Sequence, residues 1–155
     1  MIRIMFVCHG NICRSPMAEF IFKDMVKRAG REEEFVISSS ATSTEEIWNG
    51  IGNPIYPPAK EELARHGIKC GSKRAVQLKA ADAESYDLFL CMDGANVRNA
   101  KRILGESASH KVKKLLDHSG GGDVADPWYC GNFDRTYSDI LRGCRGILDE
   151  LTAAK

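Results

Sequence analysis

The sequence predicts an α/β fold in which a single domain, residues 1–155, holds a four-stranded parallel sheet between two layers of helices. Three observations lead there. Runs at residues 2–7, 35–37, 88–92 and 112–116 have strand length, and the first and third are almost wholly apolar, as in strands buried on both faces. The first and third are each followed by a turn signal and then by an amphipathic helical stretch, the alternation that builds parallel sheets. Near the C-terminus Tyr137, Ile140, Leu141, Cys144, Leu148 and Leu151 fall on one helical face, with Ile147 broadening the stripe.

Composition excludes several classes of function. A chain of 155 residues buries a substantial core without staples. With 28% charged residues and a net charge of +1 there is no field that argues for nucleic acid or an acidic membrane surface. No apolar run approaches the ~20 residues of a membrane span. Six cysteines without a signal peptide or regular close spacing point to free thiols in a reducing compartment, so the expected location is the cytoplasm. A monomer is expected, with a weak dimer left open.

In chain order, the strand over residues 2–7 runs into Cys8-His9-Gly10-Asn11-Ile12-Cys13-Arg14-Ser15-Pro16. Ser15 is a good N-cap residue, Pro16 suits a first helical turn, and Met17, Phe20, Ile21 and Met25 share a face. Gly30 ends this helix through a positive φ. A loop held between a strand end and a helix N-terminus offers unpartnered N–H groups and the positive end of the helix dipole, which together bind anions. A thiol at the rim of such a cluster is favoured as thiolate, making Cys8 a nucleophile candidate. Arg14 brings a planar fork that matches two phosphoryl oxygens. The Ser15 hydroxyl can donate to the Cys8 sulfur. Gly10 and Asn11 accept the left-handed backbone that converging N–H groups require. A nucleotide loop of the Gly-Lys-Ser/Thr kind is excluded by the missing ending. Zinc is disfavoured because Cys8 and Cys13 are too far apart for a C-x2-C pair.

The charged residues 31–34 form a connector to the second strand, which leads into the polar run at residues 38–44. Residues 45–58 contain Trp48, Gly50, Gly52, Pro54, Tyr56, Pro57 and Pro58, a breaker-rich loop too long for a bare connection. A short helix ends at Arg65-His66-Gly67, with Gly67 as its stop and His66 favoured there by the dipole. The basic stretch toward Gln77 has no assignment beyond a connection. After the third strand Asp93 caps a helix bearing Val97, Ala100, Ile103 and Leu104, and Lys113 and Lys114 mark the fourth strand as a sheet edge. A glycine-rich approach then leads to Asp126-Pro127-Trp128-Tyr129, where Pro127 fixes the turn that carries the carboxylate. Expelling a phenolate at neutral pH benefits from a positioned acid, and Asp126 is the candidate, with Asp123 a nearby decoy.

The stretch from Cys8 to Pro16, together with Asp126-Pro127-Trp128-Tyr129, resembles the low-molecular-weight protein tyrosine phosphatases, which share a Cys-x5-Arg-Ser loop at the N-terminus and an Asp-Pro-aromatic-aromatic segment. The resemblance implies a strand order of 2-1-3-4, with the ligand crevice between the first and third strands. It implies hydrolysis of phosphotyrosine, and of small aryl phosphates, through a cysteinyl-phosphate intermediate. Cys8 would attack, Arg14 would stabilise the equatorial oxygens, and Asp126 would protonate the leaving oxygen and then activate water. No cofactor or metal is expected, because the loop supplies the positive charge.

Loop support and phosphate binding fall to His9, Gly10, Asn11, Ile12, Cys13 and Ser15. By the resemblance a serine at the second strand's end, Ser39 by position, supports the loop; read alone it is an ordinary loop serine. His66 matches a histidine that hydrogen-bonds the loop asparagine, here Asn11. Trp128 and Tyr129 would shape a cleft for a phosphotyrosine ring, joined by Trp48 unless that residue packs under its own loop, which is a few residues longer than is usual in the family. Cys13 would pair with Cys8 under oxidation and protect it. The expected partner is a phosphotyrosine-containing protein. Thioredoxin-coupled arsenate reductases share the loop but need a close downstream cysteine pair that Cys70, Cys91, Cys130 and Cys144 do not form. Protein-arginine phosphatases tend to carry threonine at the position of Ile12.

Overall fold

In a computed structural model, which describes residues 1–153, four parallel strands form the central sheet. They are β1 (Ile2–Cys8), β2 (Phe35–Ala41), β5 (Leu88–Cys91) and β6 (Val112–Lys114), in the spatial order β2-β1-β5-β6. Counted within this sheet, the order is 2-1-3-4. Between β2 and β5 the chain adds a small antiparallel hairpin of β3 (Ile47–Trp48) and β4 (Ile51–Gly52). The helices are α1 (Arg14–Arg28), α2 (Pro57–Arg65), α3 (Asp82–Ser85), α4 (Gly94–Leu104), α5 (Pro127–Cys130) and α6 (Phe133–Ala153). The last two residues of the expected 1–155 domain lie outside the described residues.

The alternation of β1 separates two cores. Ile4, Phe6 and Cys8 face one layer, where Met17, Ile21 and Phe22 of α1 meet Leu63 of α2 and Ile140, Cys144 and Ile147 of α6. Met5 and Val7 face the other, with Phe89 and Cys91 of β5 against Ala100 and Leu104 of α4. Both faces of β1 are therefore buried, which is why its sequence lacks polar alternation. Phe22 bridges Phe6 and Phe35, with ring centroids 5.8 and 5.4 Å away. β1 and β2 pair in register from Ile2 with Phe35 to Cys8 with Ala41, so the end of β1 stands level with the serines of β2.

Three local expectations are corrected. Ser15 is not the N-cap: α1 begins at Arg14 with Cys13 at the cap position, because the Ser15 side chain turns into the protein to meet Cys8. The second strand does not end at residue 37 but runs on to Ala41. Ser39 and Ser40 remain in the strand because their hydroxyls are hydrogen-bonded, Ser39 with Asn11 and Glu19 and Ser40 with the Met5 sulfur, while the β1 ladder takes the backbone. Residues 45–58, expected as one breaker-rich loop, contain a hairpin, since Asn49 (φ 51°) and Gly50 (φ 77°) make the two-residue turn that joins β3 to β4. Gly30 (φ 70°) ends α1 as expected.

Candidate active site

The loop from Cys8 to Arg14 leaves the C-terminal end of β1 and enters α1, at the edge of the sheet where β1 and β5 adjoin. It lines a cavity of about 590 Å³ together with Glu45, Glu46, Asp93, Asp126, Trp128 and Tyr129. At its floor the Cys8 Sγ receives the Asn11 N–H at 3.3 Å and lies 3.0 Å from the Ser15 Oγ. Ser15 Oγ in turn accepts the Asn11 side-chain amide at 2.6 Å, while its alternative acceptor, the Ser40 carbonyl, is 3.5 Å away. The Ser15 hydrogen is best used on the sulfur, so two donors converge there.

Asn11 holds the loop's shape. Its φ of 58° lies in the left-handed region, and its fully buried amide also donates to Ser39 Oγ at 2.9 Å and accepts the Val76 N–H at 3.0 Å. Gly10 does not share the left-handed backbone. Its role is one of space, since a Cβ there would stand 3.2 Å from the Glu46 side chain. Ser39 passes the network backward by donating to Glu19 at 2.5 Å, and Lys73 reaches both the Ser39 carbonyl at 3.1 Å and Glu19 at 3.7 Å. Burial lowers the Lys73 ammonium below its ordinary value, with Glu19 opposing that shift.

Arg14 is buried, and its guanidinium meets Asp93 Oδ2 at 2.9 Å, the Val124 carbonyl at 3.3 Å and Asp126 Oδ2 at 3.4 Å. Burial works against its charge, but the neighbouring Cys8, Asp126 and Asp93 prevail and raise its affinity for the proton. Asp126 caps α5 by accepting the Trp128 N–H at 3.0 Å, with Pro127 in the first turn. Trp128 packs at 5.4 Å from Tyr56, whose own N–H is bonded to the Ile12 carbonyl at 2.9 Å. The general-acid candidate and the loop are thus tied together across the cavity. Burial pushes the Cys13 thiol up to about 12, with the nearby Cys8 adding to the effect.

Two expected residues stand elsewhere. His66 does not touch Asn11: its Nε2 bonds Glu62 at 3.0 Å and its ring stacks on Tyr137 at 3.6 Å, because the end of α2 faces α6 rather than the loop. Trp48 neither lines the cavity nor packs under its hairpin, and is 78% exposed on β3. The side chains that the hairpin stem sends to the cavity are Glu45 and Glu46. Sequence reasoning missed these two, together with Glu19, Lys73 and the second role of Asp93. Asp93 carried a signal, being a polar residue at the end of a strand adjoining β1. Glu19 carried a weaker one, four residues beyond Ser15 on an otherwise apolar helix face.

A buried cysteine and arginine in one strand-to-helix loop, faced by a carboxylate, form the arrangement of a cysteine-dependent phosphatase. The sequence matches the family model for low molecular weight phosphotyrosine protein phosphatase over residues 3–155. It is 36% identical over 158 residues to the low molecular weight protein-tyrosine-phosphatase YfkJ of Bacillus subtilis, covering 100% of this chain and 99% of that protein. It is 35% identical over 156 residues to the human low molecular weight phosphotyrosine protein phosphatase, covering 95% and 94%. The crystal structure of YfkJ superposes with a TM-score of 0.92 at 35% identity, covering 100% of this chain and 97% of the other. A structure of the YwlE arginine phosphatase superposes with a TM-score of 0.83 at 28% identity, covering 97% and 95%. The chain belongs to the low molecular weight phosphotyrosine protein phosphatase family.

Proposed function

We propose that the chain hydrolyses phosphotyrosine in proteins through a cysteinyl-phosphate intermediate, with Cys8 as nucleophile, Arg14 as the clamp and Asp126 as acid and then base. The observation that carries this reading is the convergence of the Ser15 hydroxyl and the Asn11 N–H on the Cys8 sulfur, in a cavity shared with Arg14 and Asp126. A phosphoryl group entering the loop places its equatorial oxygens against Arg14 and so competes with Asp126 for the guanidinium. Asp126, acting as the acid, delivers a proton to the tyrosine oxygen as the Cys8–phosphorus bond forms and the phosphorus–oxygen bond breaks. The ionised Asp126 then accepts a proton from water as it attacks phosphorus, and the Ser15 hydroxyl stabilises the departing thiolate. Trp128 and Tyr129, 64% and 87% exposed, provide an aromatic wall for the phosphotyrosine ring.

The same reading includes a cytoplasmic, monomeric protein, small aryl phosphates as further substrates, and Cys13 as the redox partner of Cys8. Among the described residues no helix is long and apolar enough to cross a membrane. The test is phosphate release from a phosphotyrosine peptide by the parent, Cys8→Ser and Asp126→Ala. Turnover should vanish in the first variant and fall by about 10²- to 10⁴-fold in the second. An inert parent that releases phosphate from phosphoarginine, or reduces arsenate with thiols, overturns the substrate assignment.

A further inference from the structure

The mouth of the cavity is acidic, although its floor is built for a dianion. Four carboxylates line the cavity: Asp93, Asp126, Glu45 and Glu46. The first two are engaged with Arg14 and serve the floor. Glu45 and Glu46 come from the stem of the hairpin and serve neither Arg14 nor Cys8. Glu45 is 68% exposed and meets His9 at the rim at 3.0 Å. Glu46 leans over Gly10, and its carboxylate accepts the Asn53 side-chain amide at 3.0 Å; among the described residues no cation lies within ion-pair reach of it. This carboxylate is held in place. The Glu46 carbonyl accepts the Asn53 N–H at 2.8 Å, and the Asn53 carbonyl accepts the Ala75 N–H at 2.9 Å. The hairpin beyond it presents Trp48 and Ile51 as a cross-strand pair, 78% and 64% exposed.

Glu46, held by Asn53, and Glu45, paired with His9, put negative charge at the entrance that opposes a phosphorylated substrate, and the opposition is relieved when the substrate brings its own cation. We propose that Glu45 and Glu46 form a subsite for a lysine or arginine flanking the phosphotyrosine, so that the enzyme selects basic phosphopeptide segments and discriminates against acidic ones. The exposed Trp48–Ile51 pair adds an apolar ledge for the aliphatic stem of such a residue. This inference rests on the reading of the cavity as a phosphotyrosine site.

The experiment compares kcat/KM on three phosphotyrosine peptides that differ only in lysine, alanine or glutamate on either side of the phosphotyrosine. In the parent at low salt the lysine peptide should exceed the glutamate peptide by about tenfold, and the ratio should shrink as salt rises. In a Glu45→Gln, Glu46→Gln double variant the ratio should fall to about twofold or less. A ratio taken within one protein is unaffected by any loss of folded enzyme. Equal rates on all three peptides, or a preference that survives the double substitution, overturn the subsite and leave the phosphotyrosine reading intact. Failure of all three peptides with turnover on phosphoarginine overturns both.

Discussion

Arg14 and Asp93 are joined at 2.9 Å through one carboxylate oxygen of Asp93, while its other oxygen caps α4 by accepting the Asn96 N–H at 2.8 Å. One side chain therefore fixes the start of a helix and the aim of the phosphate clamp. Asp93→Asn keeps the cap through its one oxygen, since asparagine and aspartate cap equally well, but turns its amide N–H2 toward the Arg14 guanidinium. Its kcat/KM should fall by about tenfold, because Arg14 loses a charged anchor. Asp93→Ala should lose activity and also about 1 kcal/mol of stability. Denaturant midpoints alongside kinetics separate the two effects.

Asn11 sits in a left-handed backbone and makes three side-chain hydrogen bonds in a fully buried position. Asn11→Ala leaves the Val76 N–H unpartnered and keeps the unfavourable φ, so stability should fall by about 2 kcal/mol or more. The loop that presents Cys8 would also relax, and kcat should drop more than KM rises. Urea unfolding and steady-state kinetics on one aryl phosphate check both statements.

With its thiol pushed up to about 12, Cys13 is almost wholly protonated at pH 7. Iodoacetamide at that pH should modify Cys8, which lines the cavity, and the exposed Cys130, while Cys13 and Cys144 remain free in peptide mass maps. The Cys13 thiolate fraction rises about tenfold per pH unit up to its pKa. Once peroxide has converted Cys8 to a sulfenic acid, attack by the Cys13 thiolate expels hydroxide and closes a disulfide, and this step should accelerate with pH in the same proportion. Recovery of activity on thiol addition should be complete in the parent and poor in Cys13→Ser. Equal recovery in both would remove Cys13 from the protective role.

A Cβ on Gly52 would lie 1.9 Å from the Ala75 carbonyl oxygen, a clash with backbone that no rotamer change relieves. Gly52→Ala should cost about 2 kcal/mol and pull the hairpin off the segment that holds Asn53. Faster amide exchange at Ala75, whose N–H is bonded to Asn53, is the local readout.

The parts of the site legible in the sequence were those whose chemistry is contiguous. Cys8, Arg14 and Ser15 occupy one loop, and Asp126 is marked by the proline and aromatics beside it. The strand order was legible only through the family resemblance, because periodicity identifies a buried strand without naming its neighbours. Glu46 and the arginine-holding role of Asp93 depend on how distant segments approach, and neither has a local signal strong enough to reveal it. His66 shows the converse: a residue matched by position has its partners set by the faces of α2 and α6. The hairpin at Asn49-Gly50 had a clear turn signal, overridden by reading the surrounding glycines and prolines as a continuous breaker. The serines of β2 looked like a loop because hydrogen bonding, rather than apolar burial, holds that end of the strand.

The chain has two tryptophans, Trp48 and Trp128, and both lie in surface segments, 78% and 64% exposed. Its indole fluorescence thus reports on the hairpin and the cavity wall, while the buried aromatics are the weakly emitting Phe6, Phe22, Phe35 and Phe89 together with Tyr137. Global unfolding should shift the emission little, since the indoles already face water. Circular dichroism is the better monitor of melting, whereas a ligand that covers Trp128 should announce itself optically without any change in the fold.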